Sequence, residues 1–97
     1  MQVAEPDLLS KLTYVAAYHD ARITHVDTIR AYYSGAHVVA EVDIVLPRGM
    51  PLKEAHDIGE SLQKALETLP FVERAFVHLD YEFTHSPTDE HVGGSAV

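Results

Sequence analysis

The apolar positions of this chain change their period along its length, and each change marks an element. From residue 6 to 20, Leu8, Leu9, Leu12, Val15 and Ala16 recur at helical spacing and form one stripe. Pro6 suits the first turn of such a helix, and Asp7 suits the positive end of its dipole. Residues 24 to 33, THVDTIRAYY, are rich in β-branched and aromatic side chains and predict a strand. Ser34-Gly35 marks a turn. HVVAEVDIVL (37 to 46) then alternates, with Val38, Ala40, Val42, Ile44 and Leu46 on one face and Val39, Glu41, Asp43 and Val45 on the other. The short link makes these two strands a hairpin. After the loop PRGMP, Pro51 opens a second helix. Its predicted buried stripe is Leu52, Ala55, Ile58, Gly59, Leu62, Ala65, Leu66 and Leu69, with Glu60 and Lys64 paired at i,i+4 on the opposite side. Pro70 stops it. The last predicted strand runs from Ala75 to His85, AFVHLDYEFTH. One of its faces carries Ala75, Val77, Leu79, Tyr81 and Phe83, and the other carries Phe76, His78, Asp80 and Glu82.

The order is αββαβ, which predicts an α+β, ferredoxin-like domain with a three-stranded mixed sheet and two helices on one face. The hairpin is antiparallel. The strand-helix-strand segment that follows has the length of a parallel, right-handed crossover. The first strand is expected in the middle, as in split ferredoxin-like topologies. The domain is expected to span residues 1–87. Residues 88–97, ending GGSAV, read as a polar, flexible tail. With both helices on one side, the other sheet face is left open. It carries Glu41, Asp43, His78, Asp80 and Glu82 beside Val39, Val45 and Phe76, a mixture that suits a partner surface such as a second copy.

Composition narrows the possible functions. The chain has 97 residues, enough for one small domain, and 46% of them are apolar, so it is expected to fold. A formal net charge of −8 argues against nucleic acid as a partner and against docking on an anionic membrane surface. Divalent cations are the more natural ligands. There is no cysteine, which excludes disulfides, thiolate metal sites and cysteine nucleophiles. Seven histidines are many for this length, so any site must use imidazole and carboxylate. No apolar run approaches a membrane span, and no signal peptide is visible. The chain lacks the nucleophile-elbow, Walker and dinucleotide glycine patterns, and it is not expected to be an enzyme. A hydrolytic role for His78 with Asp80 or Glu82 would need a pocket that so small a domain has little material to build.

The candidate metal chemistry centres on His78 and Asp80, two apart on one strand and so about 6 to 7 Å apart along it. That distance suits two adjacent ions better than one. Asp43 lies on the matching face of the second strand. Imidazole with carboxylates fits zinc, manganese or similar divalent ions. Spacing alone leaves a second reading open, a solvated polar face with an ordinary surface histidine. His56 sits at the edge of the second helix's stripe, either as a boundary residue with one nitrogen in water or as a ligand to a site on another subunit. His25 with Asp27 makes another i,i+2 pair, open to the same two readings. His85 and His91, with Asp89 and Glu90, fall in the polar C-terminal stretch.

Four blocks, HVDTIRAYYSG (25 to 35), AEVDIVLP (40 to 47), MPLKEAHDIGESLQKALE (50 to 67) and VERAFVHLDYEFTH (72 to 85), together resemble the C-terminal cytosolic domain of cation diffusion facilitator transporters. They look most like the manganese-type branch of plants, algae and fungi. The resemblance covers about residues 5 to 87. It implies a metallochaperone-like αββαβ domain that forms a homodimer beneath the transmembrane domain of a proton-coupled exporter, on an endomembrane such as the vacuole or Golgi. It also implies that Mn2+ or Zn2+ binds at or near the dimer interface. On the same resemblance, His78 and Asp80 match an H-x-D motif of zinc-binding relatives. His56 matches a helix histidine that reaches the other protomer's site. Asp43 falls where those relatives carry a second-strand histidine, and their first-strand ligand position falls on Val26, with His25 beside it. An aspartate in place of a nitrogen donor favours a harder ion than zinc. The alternative expectation is a dimerisation module that binds no physiological metal.

Overall fold

The structure, a computed structural model, describes residues 4–82. Its elements follow the order α1 (Pro6–Tyr18), β1 (His25–Ser34), β2 (His37–Leu46), α2 (Leu52–Glu67) and β3 (Val72–Tyr81). The three strands form one mixed sheet in the order β1-β2-β3, antiparallel between β1 and β2 and parallel between β2 and β3. The expected αββαβ architecture is therefore present, but β2 and not β1 is central. The physical reason lies in the side chains. Val38, Ala40, Val42, Ile44, Val45 and Leu46 of β2 are all buried, so it tolerates neighbours on both sides. β1 carries a register shift between Val26 and Thr28 and exposes Asp27 and Arg30, features that suit an edge.

Pro6 opens α1 and leaves no amide hydrogen unsatisfied at that position. Leu12 and Ala16 of this helix are fully buried, and Leu8, Leu9 and Val15 pack beside them. The stripe of α2 buries Ile58, Gly59, Leu62 and Leu66. Leu52 stands 82% exposed, so that stripe starts at Ala55, one turn later than the spacing predicts. The helix's i,i+4 ion pair is Lys53–Asp57 at 2.8 Å, not Glu60 with Lys64. At its end the Thr68 hydroxyl donates to the Ala65 carbonyl at 2.6 Å and satisfies a last-turn acceptor. In the hairpin turn, Gly35 has φ +66°, which a side chain would strain.

The core lies between the helices and the face of the sheet formed by Ala31, Val38, Ala40, Val42, Ile44, Leu46 and Ala75. β3 begins three residues earlier than predicted. The predicted continuation of that strand through Phe83 and His85 lies outside the described residues, as do His91, Asp89, Glu90 and the expected tail of 88–97.

The two sheet edges are finished differently. The Ala4 amide donates to the Ala31 carbonyl at 2.9 Å on the outer side of β1. On the outer side of β3, the Glu67 carboxylate accepts the Ala75 amide hydrogen at 3.0 Å. Such side-chain and chain-end contacts blunt an edge that would otherwise present unpaired donors.

Candidate metal centre

Residues directly opposite each other in neighbouring strands project from the same face. The register therefore orders the open face into rows crossing all three strands. Tyr32, Val39 and Arg74 form one row, and Arg30, Glu41 and Phe76 the next. Thr28, Asp43 and His78 follow, and then His25, Val45 and Asp80. The first two rows are tied internally. The Tyr32 hydroxyl donates to Glu41 at 3.0 Å, Arg30 lies 3.7 Å from the same carboxylate, and the Arg74 guanidinium sits 5.2 Å from the centre of the Phe76 ring. The bond to Glu41 favours the neutral phenol and raises the Tyr32 pKa.

The third row contains the contact that matters most. His78 Nδ1 lies 3.1 Å from Asp43 Oδ1, with side-chain exposures of 64% and 31%. Two residues 35 positions apart in sequence meet here because β2 and β3 are parallel neighbours in register. The Nδ1 edge of the ring faces Asp43, which leaves Nε2 on the side away from that carboxylate, and a carboxylate beside a histidine in this way is the arrangement that orients a metal-ligating imidazole. Asp80 lies on the same face one row further on, and its Oδ1 accepts the Tyr81 backbone N–H at 2.8 Å.

The predicted site residues are therefore only partly brought together. Asp43 and His78 touch, and Asp80 is their neighbour on the same face. His56 is elsewhere. It lines a shallow groove with Gly59, Glu60, Gln63, Val77 and Leu79, between α2 and the outer edge of β3. Val77 and Leu79 belong to the helix-side face of β3, so His56 and His78 lie on opposite sides of that strand. Gly59 leaves room for the Leu79 side chain, whose Cδ2 would lie 3.0 Å from a Cβ at that position. Among the described residues no group of three or more His, Asp or Glu side chains could hold a metal ion. The described residues of one copy thus supply too few side-chain donors to close a coordination shell, which takes four ligands for zinc and more for harder ions.

Two features were not visible from spacing. Regular alternation places Asp27 and His25 on the same face as Ile29 and Ala31, the helix side. The register shift puts an extra residue, Asp27, between Val26 and Thr28. As a result Val26 pairs with Ile44 and packs against the core, while His25 pairs with Val45 and is exposed on the open face. The signal was a charged residue falling in phase with core positions, which a strand resolves by bulging. The second feature is the clamp around Arg22, which contacts Asp20 at 2.9 Å and Glu54 at 3.0 Å and ties the α1–β1 connection to the first turn of α2. Alongside it, His19 Nε2 lies 2.7 Å from the Ser61 hydroxyl.

An αββαβ domain with an imidazole-carboxylate pair on an uncovered sheet face belongs to the metallochaperone-like class. Residues 5–82 match the family described as cation efflux protein, cytoplasmic domain, and the chain belongs to that family, the cation diffusion facilitators. It is 63% identical over 86 residues to metal tolerance protein 5 of Oryza sativa subsp. japonica, covering 89% of this chain and 21% of that protein. It is 62% identical over 84 residues to metal tolerance protein 11 of Arabidopsis thaliana, covering 87% and 21%. The chain thus spans about a fifth of the length of these curated relatives. Among solved structures, the MamM C-terminal domain superposes with a TM-score of 0.70 at 22% identity, covering 80% of this chain and 100% of that one. CzrB superposes with a TM-score of 0.73 at 21% identity, covering 82% and 99%. These two likenesses bear on the fold.

Proposed function

We propose that this domain is the regulatory, dimerising cytosolic part of a proton-coupled exporter of Mn2+ or Zn2+ on an endomembrane. Divalent metal would bind on the open sheet face and hold two copies together there. The observation that carries this reading is the Asp43–His78 contact of 3.1 Å on a face that neither helix covers. His78 would ligate through Nε2, oriented by Asp43, with Asp80 contributing from the neighbouring row. His56, which lines the groove beside Val77 and Leu79, would serve a second copy's site and not its own. The remaining positions fall to water or to the second copy. A MamM variant has been solved in a copper form, which supports metal binding on this fold. The domain performs no covalent step. It acts by population shift, because an ion favours the apposed pair only to the extent that it binds that pair more tightly than the separate copies.

Sedimentation velocity with and without Mn2+ or Zn2+ tests this. Metal should shift the population from monomer towards dimer. His78→Ala combined with Asp43→Asn should abolish the shift while the circular dichroism stays unchanged. A metal response identical in that double variant would reject the assignment.

A second reading, dimerisation without physiological metal, is favoured by one observation. Phe76 stands 41% exposed on the same face, beneath the Arg74 guanidinium. An apolar anchor with a stacked arginine is the composition of an interface hot spot. Under this reading the dimer mass persists in chelator.

A further inference from the structure

We propose that the outer edge of β3, between Ala75 and Tyr81, takes up a basic extended segment of a partner protein as an added fourth strand. The proposal does not depend on metal at the open face.

The direction of the backbone groups carries it. The Glu82 amide donates to the Leu46 carbonyl at 2.8 Å, so the even-numbered positions at this end of β3 turn their backbone groups towards β2. In a parallel ladder the amide and carbonyl of one residue point the same way, and those of the next residue point the other way. Ala75, Val77, Leu79 and Tyr81 therefore point theirs outward. Two of these four donors are met within the chain, Ala75 by the Glu67 carboxylate at 3.0 Å and Tyr81 by Asp80 Oδ1 at 2.8 Å. Among the described residues nothing meets the outward amide or carbonyl of Val77 or Leu79. The edge is thus closed by carboxylates at both ends and open over two residues between them. Two donors and two acceptors in a row are the template with which an extended chain pairs.

The side chains beside the opening select the occupant. An added strand would lie about 4.7–4.9 Å from β3. That places it along the shallow groove where His56, Gly59, Glu60 and Gln63 of α2 meet Val77 and Leu79. Leu79 is 40% exposed there and offers an apolar surface to cover. Glu60 makes no ion pair among the described residues, and no lysine or arginine lines the groove. Glu67 and Asp80 add negative charge at the two ends of the opening. A lysine or arginine on the added strand meets both demands, because its methylene stem covers Val77 and Leu79 while its charged head reaches Glu60. A second copy fits less well. Its own edge carries the same carboxylates, and pairing edge to edge would set like charges against each other.

The test is an NMR titration of the 97-residue chain with the blocked peptide acetyl-Lys-Thr-Lys-Thr-Lys-Thr-amide. Chelator is present throughout, so the outcome is independent of the Asp43–His78 reading. The peptide should shift the Val77 and Leu79 amide resonances and slow their hydrogen exchange at least about tenfold at saturation. Glu60→Gln, an exposed change on the helix surface, should weaken binding about two- to fivefold, the size of one exposed ion pair. The same peptide with every amide N-methylated keeps its charge but loses its donors, and it should not bind. A peptide with glutamate in place of lysine should not bind either. Silence of both amides, or equal binding of the N-methylated or glutamate peptide, overturns the proposal. Protection of Val77 and Leu79 before any peptide is added also overturns it. If that protection falls on dilution, a second copy is the occupant, and if it does not, another part of this chain is.

Discussion

Arg22 shows how much a single exposed side chain can organise. Its guanidinium bridges Asp20 and Glu54, and its backbone amide also donates to Asp20 Oδ1 at 2.8 Å. Arg22's side-chain hydrogen bond, reinforced by its amide, lowers the Asp20 pKa from 3.8 to about 2. A carboxyl whose folded pKa lies below its unfolded value stabilises the fold above the unfolded value and loses that contribution as pH falls through the folded one. The clamp should therefore be at full strength above pH 3.8 and gone near pH 2. Urea unfolding of wild type and Asp20→Asn checks this. The wild-type advantage should be constant at neutral pH, shrink across that window and vanish below it. An advantage that persists at the acid end would mean that Asp20 acts by shape and not by charge. Neither this clamp nor the Asp43–His78 contact could be read as a pair from the chain. Both join residues whose proximity depends on which elements become neighbours, whereas the residue types and the facing of Asp43, His78 and Asp80 followed from alternation alone.

Elements were legible where their period was unbroken. The face of β2 that meets the helices, the stripe of α2 from Ala55 onward and the Ser34-Gly35 turn all followed from spacing, because burial on one side imposes a strict period. The order of strands did not. It depended on how much polar surface each strand carries on its flanks, and a plain reading of topology favoured β1 over β2 for the centre. The bulge in β1 escaped for a related reason. Period-two reasoning has no place for an extra residue, so spacing alone pairs His25 with Asp27 on one face, whereas the bulge separates them. The facing can be tested by substituting the two neighbours. Val26 packs against the core while His25 is exposed. Val26→Asp should therefore cost about 2 to 4 kcal/mol by burying a carboxylate without a partner. His25→Asp should stay within about 0.5 kcal/mol of wild type, as surface changes usually do. Urea melts of the two variants decide the matter, and the opposite ranking would place the extra residue elsewhere in the strand.

At the scale of the whole molecule, charge opposes the association that the proposed function requires. Each copy carries a formal net charge of −8, and the open face sets Glu41, Asp43 and Asp80 within adjoining rows. Two such faces brought together repel unless cations lie between them or the apolar contacts of Phe76 outweigh the repulsion. These two ways of joining respond oppositely to salt. Screening shortens the range of repulsion to about 8 to 10 Å at physiological ionic strength and to about 3 Å at 1 M. A dimer held by Phe76 against charge repulsion should therefore strengthen as sodium chloride rises in the presence of chelator. A dimer bridged by divalent metal should weaken, because screening acts on the attraction between cation and carboxylate. Phe76→Asp adds the complementary arm. It removes the anchor and places another carboxylate in the middle of the face, so it should abolish metal-free association. Metal-bridged association should survive in part, since Asp43, His78 and Asp80 lie in other rows. Equilibrium sedimentation of wild type and Phe76→Asp, each with chelator and with Mn2+ over a range of salt, distinguishes the two. Loss of all association in Phe76→Asp even with saturating metal would make the aromatic contact the principal link and the ion an accessory. Retention of metal-dependent dimers would assign the link to the histidine and carboxylate rows.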